Sequence, residues 1–328
     1  MPTMSRALVT GATGLVGHAI VSALLERGRQ VRALVRSIER GRQRLPTSCE
    51  LAVGDVTDRA AVERAVQGCN VVYHAAGLPE QWLSDAGTFD RVNVGGTRNM
   101  IEASLLAKVE RFVYTSTIDV FAAKSGTSFD ESVIDPEPKG TAYERSKQAA
   151  DREVVGALER GLPAVFLHPA AVYGPGPASS PGINDFIERL RDGRVPALLP
   201  GGLPVVFSRD VGAGHVLTET KAAIGERFIL SDRYISLADL ARRVADELGM
   251  VRLPLSVPLW AARITSNVDE AVAKVTGRPP LVPKGQLYFL QWGARPRSDK
   301  ARRELGLQFL PFEDGLTRTL DWLGRKRR

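Results

Sequence analysis

Short, almost wholly apolar runs alternate with longer stretches of helical period through the first half of the chain. Residues 6–10, 30–36, 50–53, 70–75, 111–115 and 164–169 read as strands. Helices are predicted from the end of a Gly-rich turn to about residue 27, and over 58–67, 90–107 and 141–160. Runs such as ALV, VVYHAA and FVYT show no polar alternation, so both faces of these strands are expected to be covered. Strands alternating with helices predict βαβ units and a parallel sheet. After about Tyr173 the rhythm breaks at YGPGPASSPG, a stretch suited to a crossing between domains. The remainder reads as helices with short strands, and GERFILS, residues 225–231, as a strand that could return to the sheet. The expected fold is α/β: a Rossmann-type doubly wound parallel sheet in residues 1–174, to which a segment near 205–232 returns. A smaller, mostly helical substrate-binding domain then occupies 175–328.

Composition changes this picture only at its edges. A chain of 328 residues, 44% hydrophobic and 25% charged, can bury a globular core unaided. Cys49 and Cys69 cannot form a disulfide framework, and two cysteines with four histidines make no case for a metal. No apolar run approaches the roughly 18 residues of a membrane span. The N-terminus has no apolar signal region, so a cytoplasmic protein is expected. The net charge is +7, and four positive charges stand on the last four residues, Arg325 to Arg328. These read as a solvated helix end. No basic stripe interleaved with aromatics occurs elsewhere, so nucleic acid is not an expected partner.

The chemistry begins at the first strand–helix junction, Thr10-Gly11-Ala12-Thr13-Gly14-Leu15-Val16-Gly17. Gly11 permits a tight turn, Gly14 lets backbone approach a pyrophosphate, and Gly17 allows close helix packing. The helix start then offers free N–H groups to phosphates. An NAD-binding fold usually carries an acid about 20 residues on. Here the second strand ends Val35-Arg36-Ser37, and Arg36 could pair with a 2′-phosphate, helped by Arg40 and Arg42. The expected cofactor is therefore NADP(H), with NAD(H) possible. Asp55 and Val56 follow the third strand, where Asp55 could bond the adenine amino group. Ala75, Ala76 and Gly77 end the fourth strand with small residues, where the cofactor could pass.

Tyr143 and Lys147 open the long helix at i and i+4, on one face. An ammonium beside a phenol lowers its pKa from about 10, giving a usable acid/base. Lys147 could also hold the nicotinamide ribose. A hydroxyl from Thr115-Ser116-Thr117, at the carboxyl end of the fifth strand, could bond a substrate oxygen beside the tyrosine. The loop after Gly77, with Leu78 and Trp82, together with Ile118 and Phe207, supplies candidate substrate contacts. Trp82 and Phe207 read equally well as core.

TGATGLVG, GDVTD, HAAG, NVGGT, YTSTIDV, YERSK and HPAAVYGPG resemble the ordered motifs of the extended short-chain dehydrogenase/reductase, or NAD-dependent epimerase/dehydratase, family over residues 6 to about 176. FSRDVGAGH, DKARRELGL and FEDGLTRTLDWL are similar to its C-terminal half. The resemblance implies Tyr143 as acid/base, Lys147 as its partner and Thr117, rather than Ser116, as the hydroxyl. It implies a structural Asn93, and Pro169 to Val172 along the nicotinamide, with His168 where many relatives have arginine. VRALVR resembles the dihydroflavonol-reductase and 3β-hydroxysteroid-dehydrogenase-like branch. Sugar-nucleotide epimerases of the family tend to carry a diphosphate-binding arginine where Leu203 stands, beside the apolar LPVVF. The expected function is thus NADPH-dependent reduction of a ketone on a lipophilic or aromatic small molecule, or oxidation of the matching alcohol. The alternatives are a nucleotide-sugar epimerase or dehydratase with tightly held NAD(P), and a non-catalytic NADP-sensing regulator. Relatives often dimerise through the two long helices, so a homodimer is a possible assembly.

Overall fold

The computed structural model describes residues 5–177 and 182–325. Part of the expected domain crossing (178–181) and most of the basic end (326–328) lie outside these residues. The first half is β1 (Arg6–Thr10), α1 (Leu15–Leu25), β2 (Gln30–Val35), α2 (Ile38–Arg44), β3 (Glu50–Val53), α3 (Arg59–Val66) and β4 (Val71–His74). A three-part helix follows: α4 (Gly87–Phe89), a π-helical segment (Asp90–Gly95) and α5 (Gly96–Ala107). Next come β5 (Arg111–Thr115), a 3-10 turn (Ile118–Val120), β6 (Ser128–Phe129), α6 (Ala142–Glu159), β7 (Ala164–Pro169) and β8 (Ala171–Tyr173). The second half is α7 (Ile183–Arg191), β9 (Gly202–Phe207), α8 (Ser208–Lys221), β10 (Arg227–Leu230), β11 (Arg233–Ser236) and α9 (Leu237–Leu248). It ends with α10 (Leu259–Thr276), α11 (Lys284–Trp292), β12 (Arg295–Pro296), a π turn (Ala301–Leu305) and α12 (Phe312–Arg325).

Seven strands form one parallel sheet in the order β10-β7-β5-β4-β1-β2-β3. Successive side chains leave opposite faces of each strand, and the apolar runs accordingly feed two cores. Ala7, Val9, Val113 and Leu167 point into one with α1 and α8, while Leu8, Val72, Phe112 and Phe166 point into the other with α3, α5 and α6. α8 can lie close on α1 because Gly212 carries no side chain. A Cβ there would stand 2.3 Å from the Ala19 carbonyl oxygen.

Of the segment near 205–232, α8 and β10 join the large sheet, with β10 parallel to β7. β9 does not. It pairs with β8 and β11 in a separate three-stranded sheet. A third core lies against that sheet, where Tyr173, Phe207 and Phe312 meet α7, α9 and α12.

Candidate active site

The Gly-rich turn joins β1 to α1 at the carboxyl edge of the large sheet. Gly11 has φ +67°, and a Cβ on it would stand 2.5 Å from the Ala75 carbonyl oxygen, so only glycine fits. Gly17 packs on the same turn, with a built Cβ 2.2 Å from the Gly11 oxygen. Gly14 differs: a Cβ there would meet only the Gly11 oxygen, at 3.3 Å. Its missing side chain is not demanded by backbone conformation and leaves the turn open on that side. Gly14 precedes α1 and provides no side-chain cap, so the first-turn N–H groups around Leu15 and Val16 keep their unsatisfied donors. An open glycine at an uncapped helix start fits a dinucleotide pyrophosphate.

Arg36 is exposed just beyond β2 and makes no ion pair among the described residues. Arg40 and Arg42 are exposed on α2 and do not reach the turn. Arg44 does: its Nη1 donates to the Thr13 carbonyl at 3.2 Å. Sequence reasoning passed over it because α2 exposes most of its residues and shows no clear periodicity. The available signal was its cap, Ser37, which accepts from the Arg40 N–H. Asp55 spends one carboxylate oxygen on the Thr57 N–H and hydroxyl, at 2.9 and 2.7 Å. The Val56 side chain is core, packed under Gly96, and its carbonyl accepts from Asn99 Nδ2 at 2.9 Å.

A hydrogen-bonded chain supports the β4 edge. The Ala76 N–H donates to Thr10 Oγ1, Thr10 to His74 Nδ1, His74 Nε2 to Thr97 Oγ1, and Thr97 to the Asn93 carbonyl. These directions require neutral His74, and burial holds its pKa down to about 3. Asn93 Oδ1 accepts from the Leu78 N–H at 2.8 Å, and its Nδ2 donates to Ser146 Oγ at 2.9 Å. Ser146 donates to the Tyr143 carbonyl. Asn93 thus ties the loop after Gly77, with half-buried Leu78 and Trp82, to the helix that carries the tyrosine.

Thr141 and Glu144 form a capping box that starts α6. Tyr143, half-buried on its first turn, meets Phe89 edge-on, and its phenol reaches the Thr117 hydroxyl. Thr117 Oγ1 donates to Asp119 Oδ2 at 2.8 Å, so towards Tyr143 it can only accept. Thr117 thus gives its proton to Asp119, with the Tyr143 phenol beside it. The neighbouring Ser116 is spent elsewhere, donating to Asp151 at 2.7 Å. Arg227 of β10 clasps Asp151 with two N–H groups and donates to His168 Nε2, so His168 Nδ1 carries a proton and donates to the Thr117 carbonyl. Lys147 is buried and shares the Tyr143 face of α6, but its Nζ bonds the Thr115 carbonyl at 3.0 Å and the Tyr114 hydroxyl at 3.4 Å. Burial pulls Lys147 down to about 8, partly countered by Asp151 and Asp119.

Three expectations need correction. The Tyr143 phenol is not lowered. Burial, then the Asp119 charge, raise it, because the Lys147 ammonium is turned to Thr115 and Tyr114. Ile118 is 1% exposed and Phe207 3% exposed, so their side chains belong to hydrophobic cores and not to a substrate wall. Pro169 is buried at the end of β7, and Val172 is half-buried on β8. Asp119 was missed: its burial, its bond to Thr117 and an Oδ1 without a hydrogen-bond partner cannot be read from spacing.

A parallel sheet with an open glycine cradle at its carboxyl edge, and a Tyr–Thr–Lys cluster beside it, defines a nicotinamide-dependent oxidoreductase of short-chain dehydrogenase/reductase type. The chain belongs to the NAD dependent epimerase/dehydratase family, whose family model matches residues 7–229. It is 34% identical over 322 residues to a Synechocystis sp. protein carrying a provisional dihydroflavonol 4-reductase name, covering 96% of this chain and 93% of the relative. It is 30% identical over 303 residues to sterol demethylase protein B of Methylococcus capsulatus, covering 92% of each. The crystal structure of gox2253 matches with a TM-score of 0.82 at 31% identity, covering 99% of both chains. No helix among the described residues is long and apolar enough to cross a membrane, and no group of three or more His, Cys, Asp or Glu side chains among them is placed to hold a metal ion.

Proposed function

We propose that this enzyme reduces a ketone on a lipophilic or aromatic small molecule with NADPH, in residues 1–174 plus the returning α8 and β10 for the cofactor and the remainder chiefly for substrate. The observation that carries the reading is the grouping of Tyr143, Thr117 and the buried Asp119, to which Thr117 donates, at the edge of the glycine cradle. When bound, the cofactor supplies hydride to the carbonyl carbon. The rest falls to the chain. Tyr143, kept protonated by burial, gives its proton to the carbonyl oxygen. Thr117 would hold that oxygen beside it by turning its hydroxyl proton from Asp119 to the substrate, and Lys147, whose Nζ rests on Thr115 and Tyr114, would offset the charge left on the phenol from a distance. Arg36 and Arg44 favour a 2′-phosphate, since no acid stands at the end of β2 to bond a ribose hydroxyl.

The apolar substrate class is supported by Leu203. Its side chain is packed in the core at β9 and is not itself a substrate contact, so what supports the class is the missing arginine that the family's sugar-nucleotide epimerases tend to carry at this position. Burying a diphosphate without a cationic partner is costly. The flavonol and sterol in the relatives' names agree with a ring-bearing, apolar substrate.

The test is a panel of bulky ketones read by loss of nicotinamide absorbance, with cofactor titrations alongside. Wild type is expected to bind NADPH at least tenfold more tightly than NADH, since one charge-assisted phosphate contact supplies about 1.5–3 kcal/mol. Arg36→Ala and Arg44→Ala should each narrow that gap, and Tyr143→Phe should stop turnover with cofactor affinity intact. Conversion of a UDP-sugar without net cofactor consumption would overturn the reading.

A further inference from the structure

Helix α10 is built inside out. Its buried face is made of small side chains, Ala262, Ser266 and Ala273. Trp260, Ile264, Val268, Val272 and Val275 stand on the opposite face, each more than half exposed. Spacings of four, four, four and three residues align them as one stripe along the helix. A helix that only had to pack on the protein would turn these side chains inward. The flanking chain continues the pattern, with Val251 97%, Leu255 84% and Leu281 72% exposed. Contiguous apolar surface of this kind on a monomer marks an interaction site.

The charges around the stripe have one sign. Among the described side chains of residues 251–281, the exposed charged ones are Arg252, Arg263 and Arg278. The two acids of α10, Asp269 and Glu270, are half-buried, and Glu270 is held by Lys284 of α11. An apolar stripe with a cationic border pairs the two signals that peripheral anchoring requires.

We propose that α10 docks this enzyme on an anionic phospholipid bilayer, lying in the plane of the interface with the Trp260–Val275 stripe inserted among the acyl chains. An exposed tryptophan at one end of the stripe suits the headgroup boundary. A second copy of the chain is the poorer occupant, because a two-fold contact across the stripe sets arginine borders against each other. The place of α10 gives docking a use. Gly285, at the start of α11, packs so closely on Gln81 and Thr141 that a Cβ would stand 2.7 and 3.0 Å from their side chains. The α10–α11 hairpin therefore borders both the loop after Gly77 and the cap of the Tyr143 helix. Docking would set the rim of the active site at the lipid surface. The proposal does not depend on the substrate class, because it rests on surface residues outside the site.

The full chain is sedimented with phosphatidylcholine vesicles, with and without phosphatidylglycerol. Binding is expected on the anionic vesicles and at least tenfold weaker on the neutral ones. Arg263→Gln should weaken it roughly fivefold. Vesicle binding should shift the tryptophan emission to the blue, and Trp260→Phe should bind yet lose most of that shift. The double variant Val268→Glu/Val272→Glu should not bind, while its melting temperature and cofactor affinity stay at the wild-type values. Any of three results overturns the proposal: no vesicle binding by wild type, full binding by the double variant, or a solution dimer that the double variant splits.

Discussion

At the scale of single residues, two adjacent hydroxyls have different tasks. Ser116 closes a buried network with Asp151 and Arg227, while Thr117 stands between Tyr143 and Asp119. Burial, and then Glu144, raise Asp119 to about 7, against the pull of its Thr117 bond, Lys139 and Lys147. In ketone reduction the phenol becomes negative, so an ionised Asp119 opposes the step. Ionisation of Asp119 above about 7 and loss of the Lys147 charge above about 8 should both slow reduction as pH rises. Asp119→Asn keeps an oxygen acceptor for Thr117 but cannot ionise. Its kcat/KM profile should therefore hold flat through the lower step and decline only near the upper one. An unchanged profile would remove Asp119 from the proton chemistry. Tyr143 and Lys147 were legible as neighbours from their spacing, because i and i+4 share a helix face. Where the ammonium points was not legible, since a four-carbon stem can reach several partners and the nearest carbonyl, that of Thr115, comes from another strand.

At the scale of elements, the π-helical segment 90–95 is the part that periodicity could not show. A repeat of 3.6 residues predicts an α-helix over the same stretch, and the extra residue per turn is set by tertiary contacts. Its product is the placement of Asn93 between the Leu78 backbone and Ser146. Asn93→Ala leaves the half-buried Leu78 N–H without its acceptor, a loss of about 1–3 kcal/mol, and removes the donor to Ser146, whose own proton still goes to the Tyr143 carbonyl. A lower melting temperature is expected together with a raised KM for ketone, because the loop bearing Leu78 and Trp82 loses its tie to α6. If the variant melted earlier but kept its KM, the loop would owe nothing to Asn93. Strands β1, β5 and β7 coincide with the ranges read from the sequence, because strands covered on both faces must be apolar throughout, and β3 coincides as well although it is an edge strand with no buried residue. α2 escaped notice for the opposite reason: it buries only Gly41.

At the scale of the molecule, the seventh strand of the large sheet is supplied from beyond residue 225, and α8 covers α1. The break in rhythm near Tyr173 is therefore not a boundary at which the chain can be cut. A fragment ending at residue 177 would expose the β7 edge and the apolar face of α1. It is expected to show no cooperative melt and no cofactor binding by fluorescence titration. A soluble, NADPH-binding fragment would contradict that. The strand order also shows where the chain travels. It leaves the large sheet after β7 for β8, returns from β9 to α8 and β10, leaves again for β11, and comes back at the π turn 301–305 before α12. A hinge works when one or two strands of chain bend between rigid bodies. Here the seam between the two sheets is stitched several times over, so the bodies cannot swing apart as a clam does. Among the described residues, the margin where the loop after Gly77 rests against Gly285 of α11 carries no such crossing, and entry and exit are expected there. Traffic through this enzyme is accordingly expected to depend on that short loop lifting, and a cross-link from the loop to α11 should slow turnover more than one across the seam between the sheets.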